Sequence, residues 1–227
     1  MSAIDRAFVW LGGALFVSSL AFCAWWYLVP LGGRRGVAGP SALLADVLIF
    51  SVFALHHSVF ARDGVKRALA RAVPDRLSRS VYVWTASVLF IMVFVLWRPI
   101  GGTVYEVEGA PALANAAIQL LGVWTIAQSV RGLDPLELAG IRPQAPIGGL
   151  QTTGPYHLVR HPLYFGWALA VFGAAHMTGD RLAFAAISTL YLVAAIPFEE
   201  SSLVKTFGDD YRRYQTRVRW RMLPYVY

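Results

Sequence analysis

Four long runs of apolar residues dominate the first part of the sequence, at residues 7–29, 41–60, 81–97 and 112–130. A helix of about 20 apolar residues can cross a bilayer, because each residue rises about 1.5 Å through a hydrocarbon core of roughly 30 Å. The composition agrees with this, since 57% of the 227 residues are hydrophobic and 15% are charged. A soluble domain has about a quarter of its residues charged. The runs therefore predict transmembrane helices.

Two shorter apolar runs follow, at residues 163–178 and 182–198, and the turn-like pair Gly179-Asp180 separates them. Both runs are short for independent membrane spans. They predict a tight helical hairpin that either just crosses the bilayer or is partly embedded in it.

The fold that we expect is an all-α integral membrane bundle of five to six transmembrane helices. Residues 1–130 form a four-helix region in this prediction. Residues 131–227 form one further structural unit, made of a cytoplasmic loop, the hairpin and an amphipathic cytoplasmic tail. The loop of residues 131–160 is longer than connections in compact domains usually are, which favours a functional role for it.

Basic residues predict how the chain is oriented in the membrane. With six crossings, both termini and the loop of residues 131–160 face one side, and that side carries all lysines and arginines except Arg34, Arg35, Arg98 and Arg181. Loops rich in lysine and arginine stay in the cytoplasm. We therefore expect a protein of the bacterial-type inner membrane, with both termini and its active site in the cytoplasm. The net charge of +7 fits nucleic acid or anionic lipid as a partner, and the apolar composition favours membrane lipids.

Polar side chains are concentrated in residues 154–166, where the predicted fifth helix begins. Pro162 suits the first position of a helix, since its missing N–H would have no partner there. The free N–H groups of a helix start attract anions, and Arg160 and His161 add donors. Gly166 begins a face of small residues that lets a helix or a ligand approach closely. This pattern favours an anion-binding site over the alternative, an ordinary basic helix start at the membrane interface.

Glu199 and Glu200 directly follow the last apolar run. Two adjacent carboxylates at the end of a membrane helix repel each other and are costly to desolvate without partners. On a helix they point about 100° apart, so that only one of them faces the bundle. The pair predicts a site for a cationic or hydroxyl-bearing ligand, with ordinary solvation at the interface as the alternative.

Three features outside these segments also give predictions. Gly208 fits the end of a helix and Asp209 fits the N-cap of a short amphipathic helix after it. Residues 217–225 mix cations with aromatic side chains, which predicts an anchor at the membrane interface. His56 and His57 point in different directions on a helix, so we expect interfacial placement or a hydrogen bond to the catalytic loop and not a shared metal.

Three further segments stand out: residues 160–166 (RHPLYFG), 199–203 (EESSL) and 207–214 (FGDDYRRY). Together they resemble the isoprenylcysteine carboxyl methyltransferase and phospholipid methyltransferase superfamily. Residues 57–62 (HSVFAR) and 97–102 (WRPIGG) are similar to the branch of that superfamily that contains the membrane methanethiol S-methyltransferases and the proteins named for nitric-oxide respiration clusters.

The resemblance implies a methyltransferase that uses S-adenosylmethionine, with its cofactor pocket on the cytoplasmic side in residues 131–227. The positions that match the family motif imply the following cofactor-binding residues: Tyr156, His157, Arg160, His161, Pro162, Tyr164, Gly166, Glu199, Glu200, Tyr211 and Tyr214. The implied catalytic residues are Arg160, His161, Glu199 and Glu200. Arg217 would help to close the site.

The same resemblance implies a small thiol such as methanethiol as the methyl acceptor. Prenylcysteine enzymes have an arginine one turn before the glutamates, where this chain has Ala195, so a carboxylate acceptor would lack its counter-charge. Within the superfamily, the alternative acceptor is a phospholipid amine or an isoprenoid, including prenylcysteine. Outside it, the alternatives are a sterol-type reductase that uses NADPH and a non-catalytic membrane protein.

A thiol acceptor must first lose its proton, because the thiolate is the nucleophile. The candidate bases are His157, His161 and either of the two glutamates. The sequence leaves all four open.

Overall fold

The structure is a computed structural model of the protein, and it describes residues 2–33, 39–60, 65, 73–143 and 148–227. Among these residues the helices are α1 (Ala3–Leu28), α2 (Pro30–Gly33), α3 (Pro40–Phe60), α4 (Asp75–Val95), α5 (Ala110–Ser129), α6 (Pro135–Leu138), α7 (Pro162–Phe172), α8 (Gly179–Phe207) and α9 (Asp209–Arg217). Two short strands, β1 (Thr103–Glu106) and β2 (His176–Thr178), pair antiparallel. A 3-10 turn covers Gly154–His157.

Five helical spans in the described part of the chain are long and apolar enough to cross a membrane: Ala3–Gly33, Ser41–Phe60, Arg76–Val95, Ala110–Ser129 and Gly179–Phe207. The sixth apolar helix, α7, has 11 residues. At 1.5 Å per residue it is about 16 Å long, which is too short to cross a bilayer. The structure thus confirms the prediction of a helical membrane protein with five to six membrane helices.

The predicted hairpin has different boundaries from those of the apolar runs. Its first helix, α7, ends at Phe172 and not near residue 178, because residues 176–178 pair with β1 as a strand. The predicted turn at Gly179 is instead the start of α8. The Thr178 hydroxyl accepts a hydrogen bond from the Arg181 N–H at 3.1 Å and caps this helix.

Helix α8 is longer than predicted and continues to Phe207. A proline inside a helix removes one hydrogen bond and usually bends or ends the helix, yet α8 continues past Pro197. The turns after the proline are held by packing against the buried side chains of Tyr211 and Tyr214 in α9. The residues of α8 that make these contacts are Leu203, Val204 and Phe207.

The two glutamates consequently lie inside α8. The prediction that Glu199 and Glu200 follow the end of the last membrane helix is wrong. The helix ends at Gly208, as predicted, and its φ of 57° is a left-handed conformation that glycine adopts without strain. The predicted N-cap of α9 is one residue off, because Gly208 and not Asp209 precedes the first helical residue.

The chain packs as two compact units, Met1–Gly102 with Leu133–Pro146 and Thr103–Gly132 with Ile147–Tyr227. Helix α5 thus packs with the later part of the chain. The functional division of the chain at residue 130 stays a prediction.

The first unit contains α1 to α4 and α6. Its core is aromatic, and the Trp26 ring packs against the rings of Phe94 and Trp97. The His57 Nδ1 atom lies 2.8 Å from the Tyr82 hydroxyl of α4. This bond joins α3 to α4 and not to the catalytic loop, which was the partner that the sequence suggested for a hydrogen bond from these histidines.

In the second unit, α5 and α7 approach each other backbone to backbone. A Cβ atom at Gly122 would lie 2.6 Å from the carbonyl oxygen of Gly166, and a Cβ atom at Gly166 would lie 2.6 Å from that of Gly122. A side chain at either position would overlap the other helix, so glycine is required at this crossing. The small-residue face of α7 therefore contacts a helix at Gly166, and the contact of Gly166 with a cofactor stays a prediction.

Helix α7 also packs antiparallel against α8. Near the start of α7, the Tyr164 side chain contacts Glu199, and farther along Trp167 Nε1 donates to Ser188 Oγ at 2.9 Å. One apolar cluster joins α7, α8 and the segment after α9 through a buried residue of each: Ala168, Ile196 and Met222. This packing brings the start of α7 and the later half of α8 to one place.

Candidate active site

The loop before α7 is held in place by the segment that follows α9. The N–H groups of Arg160 and His161 donate to the carbonyl oxygens of Trp220 (2.9 Å) and Arg221 (2.7 Å). Pro162 occupies the first position of α7, as predicted, with His161 as the N-cap residue. The backbone of residues 160–161 is therefore fixed on one side by hydrogen bonds and on the other by a helix start.

Glu200 is enclosed by hydrogen-bond donors. Its side chain is 6% exposed, and its Oε1 lies 2.6 Å from Arg160 Nε. Its Oε2 lies 3.3 Å from Gln215 Nε2 and 3.4 Å from Arg221 Nε. His161 Nε2 lies 3.5 Å from Oε1, which suits charge attraction better than a directed hydrogen bond. Because a buried carboxylate requires such partners, this arrangement gives Glu200 a structural role.

Arg160 connects Glu200 to the segment after α9. Its side chain is 7% exposed, and its Nη1 donates to the carbonyl oxygens of Val218 (2.7 Å) and Arg219 (2.8 Å). We expected the guanidinium of Arg160 to bind an anionic ligand, but its Nε and Nη1 atoms instead bind groups of the protein. Arg160 positions Glu200 by these contacts.

Glu199 has the opposite environment. Its side chain is 46% exposed, and its Oε2 lies 3.4 Å from His161 Nδ1. The Tyr164 hydroxyl donates to its Oε1. Adjacent helical residues point about 100° apart, which explains why one carboxylate is enclosed and the other is open. Glu199 is the carboxylate that a ligand can reach.

The His161 ring lies between the two carboxylates and stacks on the Tyr164 ring, with centroids 5.4 Å apart. Burial alone would lower the pKa of His161, but the nearby carboxylates of Glu199 and Glu200 outweigh it and raise the pKa above its ordinary value of 6.5. The charged form is therefore favoured. A charged imidazole has no free lone pair for a proton, which disfavours His161 as the base.

Tyr156 and Tyr214 lie beside this cluster and are joined by a hydrogen bond. The Tyr214 hydroxyl donates to the Tyr156 carbonyl at 2.7 Å, and the Tyr156 hydroxyl donates to the Ser129 carbonyl at 3.2 Å. Burial raises the pKa of both hydroxyls, and the charge of Glu199 raises that of Tyr156 further. Both tyrosines therefore act as hydrogen-bond donors.

Tyr211 and His157 differ sharply in their surroundings. Tyr211 is buried, and its hydroxyl has no hydrogen-bond partner among the described residues. Such a buried polar atom is unusual and would be stabilised by a polar group of a ligand. His157 is exposed at the end of the 3-10 turn, and in the described part of the chain no hydrogen bond joins it to the cluster.

An open cleft of about 500 Å³ lies beside Tyr214, and its lining does not include Glu199 or His161. The Arg217 guanidinium lies 5.8 Å from the centre of the Tyr214 ring. The cleft is lined by Leu150, Thr152, Asp210, Arg213, Tyr214 and Arg217. Two of the residues that the resemblance places at the closing side of the site therefore line one cleft.

Sequence reasoning missed the contribution of the segment after α9. It predicts an interfacial anchor there, whereas Val218 and Met222 are buried and the neighbouring carbonyls bind Arg160 and His161. It also missed Gln215 and Arg221 as partners of Glu200. The only signal in the sequence is indirect, because a buried glutamate requires donors and this segment contains several.

Comparison with known proteins agrees with the geometry. A family model described as phospholipid methyltransferase matches residues 112–210. Methanethiol S-methyltransferase of Pseudomonas deceptionensis is 37% identical over 194 residues, which cover 81% of this chain and 73% of that protein. Methanethiol S-methyltransferase of Mycobacterium tuberculosis is 34% identical over 210 residues, which cover 87% of this chain and 85% of that protein. The chain belongs to the methanethiol S-methyltransferase family.

Membership of this family makes the chain a methyltransferase that is embedded in a membrane and uses a methyl donor, as predicted. Methanethiol S-methyltransferase 2 of Bradyrhizobium diazoefficiens is a further relative, 37% identical over 187 residues, which cover 78% of the methyltransferase described here and 71% of that protein. The comparisons favour neither the reductase nor the non-catalytic alternative. No solved structure matches the chain significantly.

Proposed function

We propose that this methyltransferase transfers the methyl group of S-adenosylmethionine to a small thiol such as methanethiol. Several relatives named as methanethiol S-methyltransferases, 33% to 37% identical to this chain, support the acceptor. The observation that carries the proposal for the site is the half-exposed carboxylate of Glu199, held by Tyr164 and His161 beside the enclosed Glu200.

The residues present fit S-adenosylmethionine as the methyl donor. Its sulfonium suits the negative field of the Glu199 carboxylate and the aromatic ring of Tyr156, and its ribose hydroxyls suit the unpartnered hydroxyl of Tyr211. When bound, it supplies an electrophilic methyl group on a leaving group that needs no further activation. The protein's main contribution is therefore alignment of the acceptor, which can account for a large part of a rate enhancement.

Of the four candidate bases, we propose Glu199 as the one that accepts the thiol proton. His161 is held in its charged form, Glu200 is enclosed, and His157 lies exposed outside the cluster. Glu199 is half-exposed and therefore accessible to an acceptor. A thiol beside a positive charge has a lowered pKa, and the imidazolium of His161 provides such a charge.

A second cleft supports the entry of an apolar acceptor from the bilayer. It has a volume of about 290 Å³ and lies among α5, α7 and α8, where Ala168, Phe172 and Leu223 contribute to its lining. Ala168 and Leu223 also belong to the apolar cluster that contacts Tyr164. This cleft therefore offers an apolar thiol a place to enter from the bilayer, next to the cluster that packs against Tyr164.

The test is a methyl-transfer assay with labelled S-adenosylmethionine and three acceptors: methanethiol, phosphatidylethanolamine and a prenylcysteine analogue. We expect label in dimethyl sulfide and none above background in the other two products. Label in the lipid or the prenylcysteine product alone would contradict the thiol assignment. Binding of NADPH in preference to S-adenosylhomocysteine would contradict methyl transfer altogether.

A further inference from the structure

The ten residues after α9, which we call the strap (residues 218–227), supply main-chain acceptors to the active-site loop. Four consecutive carbonyl groups of the strap bind the two residues before Pro162. Arg160 Nη1 donates to the first two, at Val218 and Arg219, and the N–H groups of Arg160 and His161 donate to the next two, at Trp220 and Arg221.

The strap is itself held in a fixed conformation. Met222 is fully buried, and the N–H groups of Met222 and Leu223 donate to the main-chain oxygen of Tyr227 at 2.8 Å and 3.0 Å. Arg221 Nη1 donates to the Tyr227 hydroxyl at 3.0 Å, and the guanidinium lies 5.2 Å from the centre of that ring. This turn leaves the Arg221 Nε directed at Glu200 Oε2, at 3.4 Å.

We propose that the strap is a positioning element of the active site and that Arg221 is its positioning residue, acting through Glu200 on Arg160 and His161. The inference rests on the proposed function, since it assigns these groups to methyl transfer. In this arrangement Arg221 contacts neither the methyl donor nor the acceptor.

Charge explains why one arginine of the strap matters. Glu200 faces Arg160 through one oxygen and Arg221 through the other, so removal of Arg221 leaves Oε2 with the neutral Gln215. Glu200 is then free to rotate toward His161. A shift of about 1 Å in a group that aligns reactants can cost about a hundredfold in rate.

The charge on His161 gives a second readout, the pH dependence of the rate. A purely structural role of Arg221 would leave this pH dependence unchanged. The charged and titratable groups of the cluster around its ring are Arg160, Tyr164, Glu199, Glu200, Tyr211 and Arg221. Loss of the Arg221 cation removes repulsion and frees Glu200 to interact more strongly with His161. The imidazolium should then persist to higher pH.

The test replaces Arg221 by Met, which keeps the length of the side chain and removes the charge. We expect the kcat for methanethiol to fall about tenfold to a hundredfold, with the KM for methanethiol little changed. We also expect the alkaline limb of the pH–rate profile to move to higher pH. The matched control is Arg212→Met, which removes an equally charged but exposed arginine of α9 that pairs with Asp209 and should leave both quantities unchanged.

Two further variants keep the proposal testable if Arg221→Met does not fold. Arg221→Lys retains the charge but loses the fork geometry, and we expect an intermediate kcat and no shift of the pH profile. Tyr227→Phe removes the hydroxyl that holds Arg221, and we expect a smaller loss in the same direction. The double variant Arg221→Met with Tyr227→Phe should be no slower than Arg221→Met alone, because Tyr227 acts through Arg221.

Failure of the strap proposal can be separated from failure of the proposed function. An active wild type together with unchanged kcat and pH profile in folded Arg221→Met would overturn the strap proposal and leave the function intact. If the wild type methylates no thiol, the proposed function is wrong. The strap proposal is then tested by the pH at which the unfolding temperature declines, because this measurement requires no turnover. An equal pH dependence in wild type and Arg221→Met would then overturn the strap as well.

Discussion

Glu199 and Glu200 are adjacent but have different surroundings, and we propose that Glu199 is the one that meets the ligand. Replacement of Glu199 by Gln preserves its shape and removes the charge that accepts the thiol proton. We expect the kcat for methanethiol to fall by at least about a hundredfold, the usual contribution of a positioned general base. The thermal unfolding temperature should change little, since the side chain is 46% exposed. Retention of wild-type turnover would remove Glu199 from the mechanism.

Glu200 should respond to the same substitution in the opposite way. Glu200→Gln leaves the buried guanidinium of Arg160 without its counter-charge, and breaking a buried ion pair costs about 3 kcal/mol in the free energy of unfolding. The measurement is thermal unfolding in detergent, where we expect a clear decrease in the midpoint temperature. Glu108→Gln serves as the control, because Glu108 is exposed. Equal midpoints for the two variants would contradict the structural role.

His161 links the site to pH. Its pKa is raised in the folded protein above the ordinary value of 6.5, because the two glutamates outweigh the effect of burial. A group with a raised folded pKa stabilises the protein fully below its unfolded pKa and loses that contribution as the pH rises through the folded pKa. We therefore expect the unfolding temperature of the wild type to decline from about pH 6.5 upward more steeply than that of His161→Gln. Parallel curves for the two proteins would contradict this.

At the scale of elements, the crossing of α5 and α7 is the contact least tolerant of change. Gly166→Leu places a side chain where even a Cβ atom would lie 2.6 Å from the backbone of α5. We expect loss of folded protein, measured as the monodisperse fraction in size-exclusion chromatography. Gly149→Ala should be neutral, since a Cβ atom at Gly149 meets no atom within 4 Å. A folded Gly166→Leu variant would mean that α5 and α7 can separate.

The elements also show where sequence reasoning succeeds and where it ends. The long spans were predictable, because about 20 apolar residues are stable across a bilayer only as a helix. The continuation of α8 past Pro197 was not, because local preference favours a break and packing of Leu203, Val204 and Phe207 overrides it. The 100° offset of the two glutamates was predictable, but the donors around Glu200 come from residues 15 or more positions away.

For the whole molecule, orientation in the membrane is the main prediction that the fold itself does not test. We propose that both termini and the site face the cytoplasm, because the basic residues favour that side. The chain suits a labelling experiment, since its single cysteine, Cys23, is buried. Gly149→Cys should react with a membrane-impermeant maleimide in inverted vesicles and not in intact cells. Glu108→Cys, on the other side of α5, should show the reverse, and identical labelling of both would contradict the orientation.

The dependence of the active-site loop on the strap has a consequence for how the protein is made. A ribosome synthesises residues 160–161 well before residues 218–227, and α8 is translated and inserted between them. Until the strap emerges, the N–H groups of Arg160 and His161 lack the carbonyl partners that fix them. On the strap proposal, the active-site loop is therefore held in its final conformation only after α8 and the strap have both been made.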